Sequence, residues 1–312
     1  MKDIRIGTRG SSLALAQTEW VKQKLQERYA GLRVEVVTIK TSGDRFLDTP
    51  IKAMAGKGIF VKEIEEALLR KAIDLAVHSM KDLPTEIAEG LTIAAVPERE
   101  DSRDALVSAD HKSLETLPPG TRIGTGSLRR RAQILHYRPD LSVAPIRGNI
   151  DTRLRKLDRG EVDALVMAAA GLKRIGQGSR VSEYLSAEIC LGAVAQGALG
   201  IESRENDPVA EEIAFLHHLP TALEVLAERA FLSYLGGGCQ IPVGARAEIN
   251  RDNMRLAGVV ADPDGRRLYR QEISGSAEEA EHLGQELAAR MLALGADEVL
   301  ALEKRVSAHG AS

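Results

Sequence analysis

The sequence predicts an α/β protein made of two similar lobes and a small C-terminal α+β domain. Its 312 residues exceed what one hydrophobic core usually organises. Short β-branched runs alternate with amphipathic stretches twice along the chain, which is typical of βαβ units. Beyond about residue 221 the pattern changes to a helix, three strands and a last helix. A composition of 44% hydrophobic and 28% charged residues is that of a folded chain.

The first lobe begins with a strand at 4–7 that runs into the turn Thr8-Arg9-Gly10-Ser11. A helix follows this turn, because Leu13, Ala16, Trp20 and Leu25 fall roughly on one face. The remaining elements predicted for this lobe are strands at 32–39, 74–79 and 91–96 and a helix at 60–73. Strands that alternate with helices in this way predict parallel βαβ units.

The second lobe repeats the pattern from about Asp104. The run Arg122-Ile123-Gly124-Thr125-Gly126-Ser127 resembles Arg5-Ile6-Gly7-Thr8-Arg9-Gly10-Ser11, each a strand that enters a small polar turn before a helix. Strands at 141–146 and 162–168 and a helix at 150–157 complete the lobe. We therefore expect an internal duplication.

The C-terminal domain is predicted to start with a helix at 221–235, with Thr221 as its N-cap and Gly236-Gly237-Gly238 as its end. Strands at 243–249, 255–260 and 267–273 follow, and a helix at 277–294 closes the domain.

Charge and cysteine content exclude several classes of protein. The net charge of −3 disfavours a nucleic-acid or polybasic membrane role for the whole chain. No run of about 18 apolar residues exists, and the N-terminus enters a strand rather than an apolar signal segment. Two cysteines, Cys190 and Cys239, are too few for a disulfide framework or a Cys-rich zinc site. These observations predict a cytoplasmic protein without a metal site.

Basic residues concentrate between 121 and 159, where ten Lys and Arg face three Asp, so this segment is +7 and the rest of the chain is −10. A solvated helix face is one explanation. The other is an anion site, because Arg129 and Arg130 follow a strand-to-helix turn, and Arg147 and Arg153 flank the next one. Guanidinium groups gathered there suit a ligand with several carboxylates or phosphates. Neither nucleotide-binding glycine motif is complete.

An acid and a thiol are the candidates for chemistry. Asp82 follows a buried-looking strand and is either part of a surface turn or a carboxylate that stabilises a substrate cation or moves a proton. Cys239, after three glycines, is either incidental or a nucleophile or covalent attachment point. His78 is interpreted as a structural histidine and Cys190 as a core residue.

The chain resembles the hydroxymethylbilane synthase (porphobilinogen deaminase) family over nearly its full length. The segments that carry the resemblance are Gly7-Thr8-Arg9 with Ser11, Leu13-Ala14 and Gln17, Gly56-Lys57-Gly58-Ile59-Phe60-Val61-Lys62-Glu63, His78-Ser79-Met80-Lys81-Asp82, Gly124-Thr125 with Ser127-Leu128-Arg129-Arg130, Arg147-Gly148-Asn149 with Thr152-Arg153-Leu154, Ala170-Gly171-Leu172-Lys173-Arg174 and Gly237-Gly238-Cys239-Gln240-Ile241-Pro242.

The resemblance implies a transferase that joins four porphobilinogen units into a linear tetrapyrrole, hydroxymethylbilane, on a dipyrromethane cofactor. It implies that Cys239 carries this cofactor through a thioether and that Asp82 is the catalytic carboxylate. The residues it assigns to cofactor and substrate binding are Arg9, Ser11, Gln17, Lys57, Ser79, Lys81, Thr125, Ser127, Arg129, Arg130, Arg147, Gly148, Arg153, Arg174 and Gln196.

The resemblance also implies a monomer with two lobes like those of periplasmic binding proteins. Its domains would be 1–98 with 197–217, then 99–196, then 218–312. Three positions depart from the usual family pattern: Ala53, Gly126 and Ala195, where a basic residue, Ser and Gly are more common. The alternative from another class is a non-catalytic two-lobed module that binds a polycarboxylate and has no use for Asp82 or a modified Cys239.

Overall fold

Within residues 3–42, 61–236 and 242–301, which a computed structural model describes, two five-stranded sheets and one three-stranded sheet form the framework. The strands are β1 (Ile4–Thr8), β2 (Val34–Thr38), β3 (Leu75–Ser79), β4 (Leu91–Ala95), β5 (Asp104–Ser108), β6 (Arg122–Gly124), β7 (Ser142–Ala144), β8 (Ala164–Ala168), β9 (Glu183–Tyr184), β10 (Leu199–Arg204), β11 (Val243–Asn250), β12 (Asn253–Ala261) and β13 (Leu268–Ser276). The helices are α1 (Ser12–Arg28), α2 (Lys62–Leu69), α3 (Leu128–Tyr137), α4 (Ile150–Asp158), α5 (Ala169–Arg174), α6 (Val209–Ile213), α7 (Leu219–Tyr234) and α8 (Ala280–Met291).

The chain divides into two units. The first unit consists of the described residues within 1–47, 56–100 and 197–222, and the second unit of those within 101–196 and 223–312. No helix in the described part of the chain combines the length and the apolar character that crossing a membrane requires. The division into three domains made from the sequence stays a prediction.

The sheet of the first unit has the strand order β2-β1-β3-β10-β4. Strand β1 runs parallel to both β2 and β3, whereas β10 runs antiparallel to β3 and β4. The core beside this sheet contains Ile6, Leu25, Leu75 and Ile201, each fully buried. Because β1 and β3 are parallel, the residues that follow Thr8 and those that follow Ser79 leave the sheet at the same edge.

The sheet of the second unit has the equivalent order, β7-β6-β8-β5-β9. An equivalent Arg–Asp ion pair joins β1 to the start of β3 in one sheet and β6 to the start of β8 in the other. Arg5 Nη2 lies 2.9 Å from Asp74 Oδ1, and Arg122 Nη2 lies 2.8 Å from Asp163 Oδ1. Both aspartates immediately precede the neighbouring strand. The duplication predicted from the sequence is therefore confirmed.

The strands predicted for βαβ units do run parallel, β1 with β2 and β3, and β6 with β7 and β8. The sequence did not predict β5 and β10 as strands, and these two run antiparallel to their neighbours. One prediction of local structure is wrong. Thr221 is not an N-cap, since α7 begins at Leu219 and a proline is tolerated in a first helical turn. The Thr221 Oγ1 atom instead accepts a hydrogen bond from the backbone N–H of Arg99 at 3.2 Å.

The C-terminal elements form the antiparallel sheet β11-β12-β13. Phe231 of α7, fully buried, packs over Gly258 of β12, where a Cβ atom would come within 2.8 Å of the ring. Helix α8 lies against the same sheet, and a Cβ at Gly284 would come within 2.2 Å of the Ala227 carbonyl oxygen. Small residues thus allow two helices to approach closely over this sheet.

Ala195 has a left-handed backbone conformation, with φ of 58°. In this conformation a residue with a Cβ atom destabilises the folded state by about 1–2 kcal/mol. Glycine removes that strain, but its more flexible unfolded chain lowers the free energy of unfolding by about 0.4–1 kcal/mol. We expect Ala195→Gly to raise the free energy of unfolding by about 0.5–1 kcal/mol, measured with urea. The control is Ala198→Gly, a buried position without positive φ, which should lose stability. Equal loss in both variants would contradict the strain argument.

Candidate active site

A pocket of the first unit gathers six of the polar side chains that flank β1 and β3. We call it the Asp82 pocket; its polar residues are Arg9, Ser11, Gln17, His78, Ser79 and Asp82. The parallel pairing of β1 and β3 produces this grouping, because the turn after β1 and the turn after β3 share one sheet edge. Five of these six residues, all except His78, are candidates that the sequence assigned to binding or catalysis.

Local hydrogen bonds fix the polar groups of the pocket. Gln17, which is buried, donates from Nε2 to Ser79 Oγ at 2.9 Å. Ser11 caps α1 by accepting from the backbone N–H of Ala14 at 3.3 Å, so its own hydroxyl hydrogen can still be donated to an acidic ligand. Asp82 ends the 3-10 turn Met80–Asp82 that follows β3 and is exposed, and Lys81 belongs to the same turn.

A buried acid–histidine group lies on the inner side of the pocket. His78 Nε2 is 3.0 Å from Glu202 Oε2, and the two side chains are 4% and 0% exposed. The second carboxylate oxygen of Glu202 and Oε1 of Glu65 on α2 are buried and have no hydrogen-bond partner. Burial, and next the charge of Glu202, raise the pKa of Glu65.

Asp104 is the centre of the polar network in the second unit. Its carboxylate is fully buried and accepts from Arg129 Nη1 at 2.6 Å and from Arg130 Nη2 at 2.8 Å. Gln196 Nε2 donates to the same carboxylate at 2.9 Å, and the Cys190 thiol at 3.3 Å. Burial alone would raise the pKa of Asp104, but the two guanidiniums outweigh it and hold that pKa far below its ordinary value.

This network gives Arg129 and Arg130 protein partners. Both are buried, and Arg129 also donates to the carbonyl oxygen of Leu191 at 2.6 Å. Arg130 also donates to Gln196 Oε1 at 3.3 Å. A cofactor- or substrate-binding role for Arg129, Arg130 and Gln196 stays a prediction, and these contacts show that other groups of the protein hold the three side chains in place.

A second cationic group is built around Arg153, near the N-terminus of α4. Burial, and next the neighbouring guanidiniums of Arg130 and Arg147, lower the pKa of Arg153 to about 10. The Arg153 Nε–H donates to the carbonyl oxygen of Gly148 at 2.8 Å, and φ of Gly148 is 108°. We call Arg130, Arg147 and Arg153 the Arg153 cluster. Like charges held together in this way favour a ligand that carries several negative charges.

The turn before α3 repeats the capping arrangement of the first unit. Ser127 caps α3 by accepting from the backbone N–H of Arg130 at 3.4 Å, and Thr125 is buried with its Oγ1 accepting from the backbone N–H of Ser127 at 3.3 Å. At Gly126, a departure from the family pattern, a Cβ would lie 3.0 Å from the Ile146 carbonyl oxygen. The close carbonyl therefore favours glycine over serine in this chain.

Several candidates are not brought into these groups. Arg174 is the last residue of α5. Lys57, Cys239 and Ala53 lie outside the described residues. The other cysteine, Cys190, is buried, and burial together with Asp104 raises the pKa of its thiol to about 12. Because Cys190 is buried, its prediction as a core residue is confirmed. A neutral buried thiol is also a poor nucleophile.

The sequence interpretation missed Asp104 and Glu202. Both are acidic residues within strands whose other residues are mostly apolar, Asp-Ala-Leu-Val-Ser for β5 and Leu-Gly-Ile-Glu-Ser-Arg for β10. A charge in a buried strand requires a partner, and this was the signal available. The partners themselves come from other elements and could not be read from the local sequence.

Comparison with known proteins gives matches along almost the entire chain. The family model described as "Porphobilinogen deaminase, dipyromethane cofactor binding domain" matches residues 4–212, and the one described as "Porphobilinogen deaminase, C-terminal domain" matches 222–293. The porphobilinogen deaminase of Pelobacter propionicus is 54% identical over 96% of both chains. That of Geobacter metallireducens is 53% identical over 96% of this chain and 94% of its own, and that of Syntrophus aciditrophicus 52% over 93% and 95%.

Among solved structures, a Salmonella typhimurium periplasmic binding protein with high arginine specificity is 15% identical at a TM-score of 0.41, covering 69% of this chain and 92% of its own. A similarity of this size has no bearing on function.

Proposed function

Because this chain belongs to the porphobilinogen deaminase family, we propose that it acts as a hydroxymethylbilane synthase. It would join four porphobilinogen molecules head to tail and release ammonia and the linear tetrapyrrole hydroxymethylbilane. Each porphobilinogen carries an acetate and a propionate side chain. The observation that supports this function best is the Arg153 cluster, because three guanidiniums held near one another form surroundings that favour an acidic ligand.

The family implies a dipyrromethane cofactor, and the chemistry of the described residues fits it. A dipyrromethane built from porphobilinogen is a polycarboxylate, and the Arg153 cluster is a site for carboxylates. We propose that Arg147 and Arg153 hold cofactor or substrate carboxylates, with Thr125, Ser127 and Gly148 beside them and Cys239 as the point of covalent attachment. When bound, the cofactor supplies the free pyrrole α-carbon at which chain growth starts.

Asp82 is proposed as the catalytic carboxylate. When the aminomethyl group of porphobilinogen leaves as ammonia, positive charge develops on the pyrrole ring. An ionised Asp82 stabilises that charge and accepts hydrogen bonds from pyrrole N–H groups. Arg9, Ser11, Gln17 and Ser79 surround Asp82 in the same pocket, where they would hold the ring through its carboxylates and restrict it to a productive orientation.

A non-catalytic polycarboxylate-binding module would keep the arginines but has no need for an exposed carboxylate in the same pocket as Arg9.

The monomeric state and the cytoplasmic location belong to the proposal as well. They rest on the family to which the chain belongs.

Intact-mass measurement tests the cofactor directly. We expect the native protein to be heavier than its sequence mass by one dipyrromethane, and the excess to disappear in Cys239→Ser, because the thioether cannot form. Cys190→Ser is the matched control and should keep the excess. An active protein with the mass of its bare sequence would contradict the proposal.

Asp82→Asn is expected to fold normally and to lower kcat by about 10²–10³-fold, because the charge that stabilises the transition state is lost. Asp110→Asn, which changes an exposed carboxylate of the second unit, should leave kcat unchanged. Steady-state formation of hydroxymethylbilane provides the measurement. Turnover near the native rate in Asp82→Asn would remove this residue from the chemistry.

Arg153→Gln should separate ligand binding from stability. In the Cys239→Ser background, without cofactor, we expect the melting temperature not to fall, because a half-buried cation that Arg130 and Arg147 repel is removed. Cofactor assembly or KM for porphobilinogen should worsen by more than tenfold in the otherwise native chain, since a buried carboxylate loses a charged partner worth about 1.5–3 kcal/mol. The control is Arg155→Gln on the same helix, an exposed residue. A lower melting temperature with unchanged KM would show that Arg153 is structural.

A further inference from the structure

His78 is a histidine of the Asp82 pocket that the proposed mechanism does not use. It lies at the fourth position of β3, next to Ser79, and it is one of the residues that line the pocket although it is only 6% exposed. A buried histidine that is only structural needs a hydrogen bond, and a backbone carbonyl would be sufficient. Here the partner is a glutamate carboxylate, Glu202.

We propose that His78 is a catalytic base that accepts the proton released from the pyrrole α-carbon at each condensation, with Glu202 as its positioning residue. The inference rests on the proposed function and adds to it a residue role that is separate from that of Asp82.

The bond to Glu202 selects the tautomer. A carboxylate accepts hydrogen bonds and cannot donate them, so the Nε2 of His78, 3.0 Å from Glu202 Oε2, carries the hydrogen. The lone pair is then on Nδ1, which is the nitrogen left to accept a proton. Protonation of Nδ1 produces an imidazolium directly beside the Glu202 carboxylate, which stabilises it as the third group of a base–orienter arrangement does.

The neighbouring Glu65 supports a charged Glu202. Both carboxyl groups have one buried oxygen without a hydrogen-bond partner, and two like charges at short range in a buried place are unfavourable. Burial and Glu202 together raise the pKa of Glu65. A proton is therefore retained on Glu65 more readily than on an ordinary glutamate, which lessens the repulsion between the two carboxyl groups.

A base separate from Asp82 leaves that carboxylate available to stabilise the cation throughout the condensation. The carbon–nitrogen bond of porphobilinogen breaks and ammonia leaves with its electron pair, and the α-carbon of the receiving ring then forms the new carbon–carbon bond. The α-hydrogen must leave as a proton, and its bonding electrons return to the ring. If Asp82 took this proton, it would be neutral when the next cation forms. His78 takes it instead on Nδ1 and passes it to the departed ammonia, which gives ammonium and restores the neutral imidazole.

The first test is independent of turnover. The imidazole ¹⁵N NMR spectrum of the native holoenzyme at neutral pH should show His78 as the Nε2-protonated tautomer, assigned by its loss in His78→Gln. An Nδ1-protonated tautomer or a permanent imidazolium would overturn the proposal, because no lone pair would then be available.

The second test uses porphobilinogen deuterated at its free α-carbon. In His78→Gln we expect kcat to fall by about 100-fold and the primary isotope effect to rise above the native value, because proton removal becomes rate-limiting. Glu202→Gln keeps the shape but not the charge and should change both quantities in the same direction. His136→Gln, which alters a histidine bonded to the Gly265 carbonyl in the second unit, is the control and should change neither.

The outcomes separate this inference from the function on which it rests. A native protein that forms no hydroxymethylbilane would refute the proposed function. A native protein that forms it, with His78→Gln and Glu202→Gln slower but showing the native isotope effect, would show that the pair is only structural and would overturn the inference. If His78→Gln fails to fold, the isotope effect of Glu202→Gln still decides.

Discussion

The fully buried carboxylate of Asp104 is the constraint on which the second unit depends. Two guanidiniums can be buried beside each other only if a negative charge compensates them, and removing one partner of a buried ion pair costs about 3–5 kcal/mol. Asp104 takes both Arg129 and Arg130 and is held in turn by Gln196. The conformational entropy of these side chains is lost when the protein folds. Arg130 therefore has a fixed position beside Arg147 and Arg153, and binding of a carboxylate there requires no further ordering of its side chain.

The charges of the two units are arranged for different purposes, although their sheets share one strand order. In the second unit Asp104 pairs with Arg129 and Arg130, and the guanidiniums of Arg130 and Arg147 lie near enough to Arg153 to lower its pKa. This arrangement of positive charge suits acidic side chains. In the first unit the prominent charges near the pocket include carboxylates, one exposed at Asp82 and one buried at Glu202. Carboxylates stabilise cations and orient bases. Under the proposed function, the repeated framework serves anion binding in one unit and the stabilisation of positive charge in the other.

Much of this could be predicted from the sequence, and the limits have physical causes. The repeated strand–turn–helix pattern predicted the duplication, since capping residues such as Ser11 and Ser127 act locally. The parallel direction predicted for the strands of the βαβ units is confirmed, whereas β5 and β10 were not predicted as strands. Asp104 and Glu202 were missed because a buried charge is recognised by its partners, and those partners are far away in the sequence. Lys57 and Cys239 lie outside the described residues, and their roles stay predictions.

Ala195 shows how closely backbone conformation and the charged network are connected. Its backbone N–H donates to the buried Glu228 carboxylate at 2.6 Å, and the other oxygen of Glu228 accepts from the backbone N–H of Ala247 at 2.8 Å. The next residue, Gln196, holds Asp104. The left-handed conformation of Ala195 therefore turns the chain so that its own N–H group faces Glu228. The side-chain amide of the next residue, Gln196, then faces Asp104. Two buried acids stabilise a conformation that an alanine alone would disfavour, and strain of this kind persists only where the surroundings over-determine it.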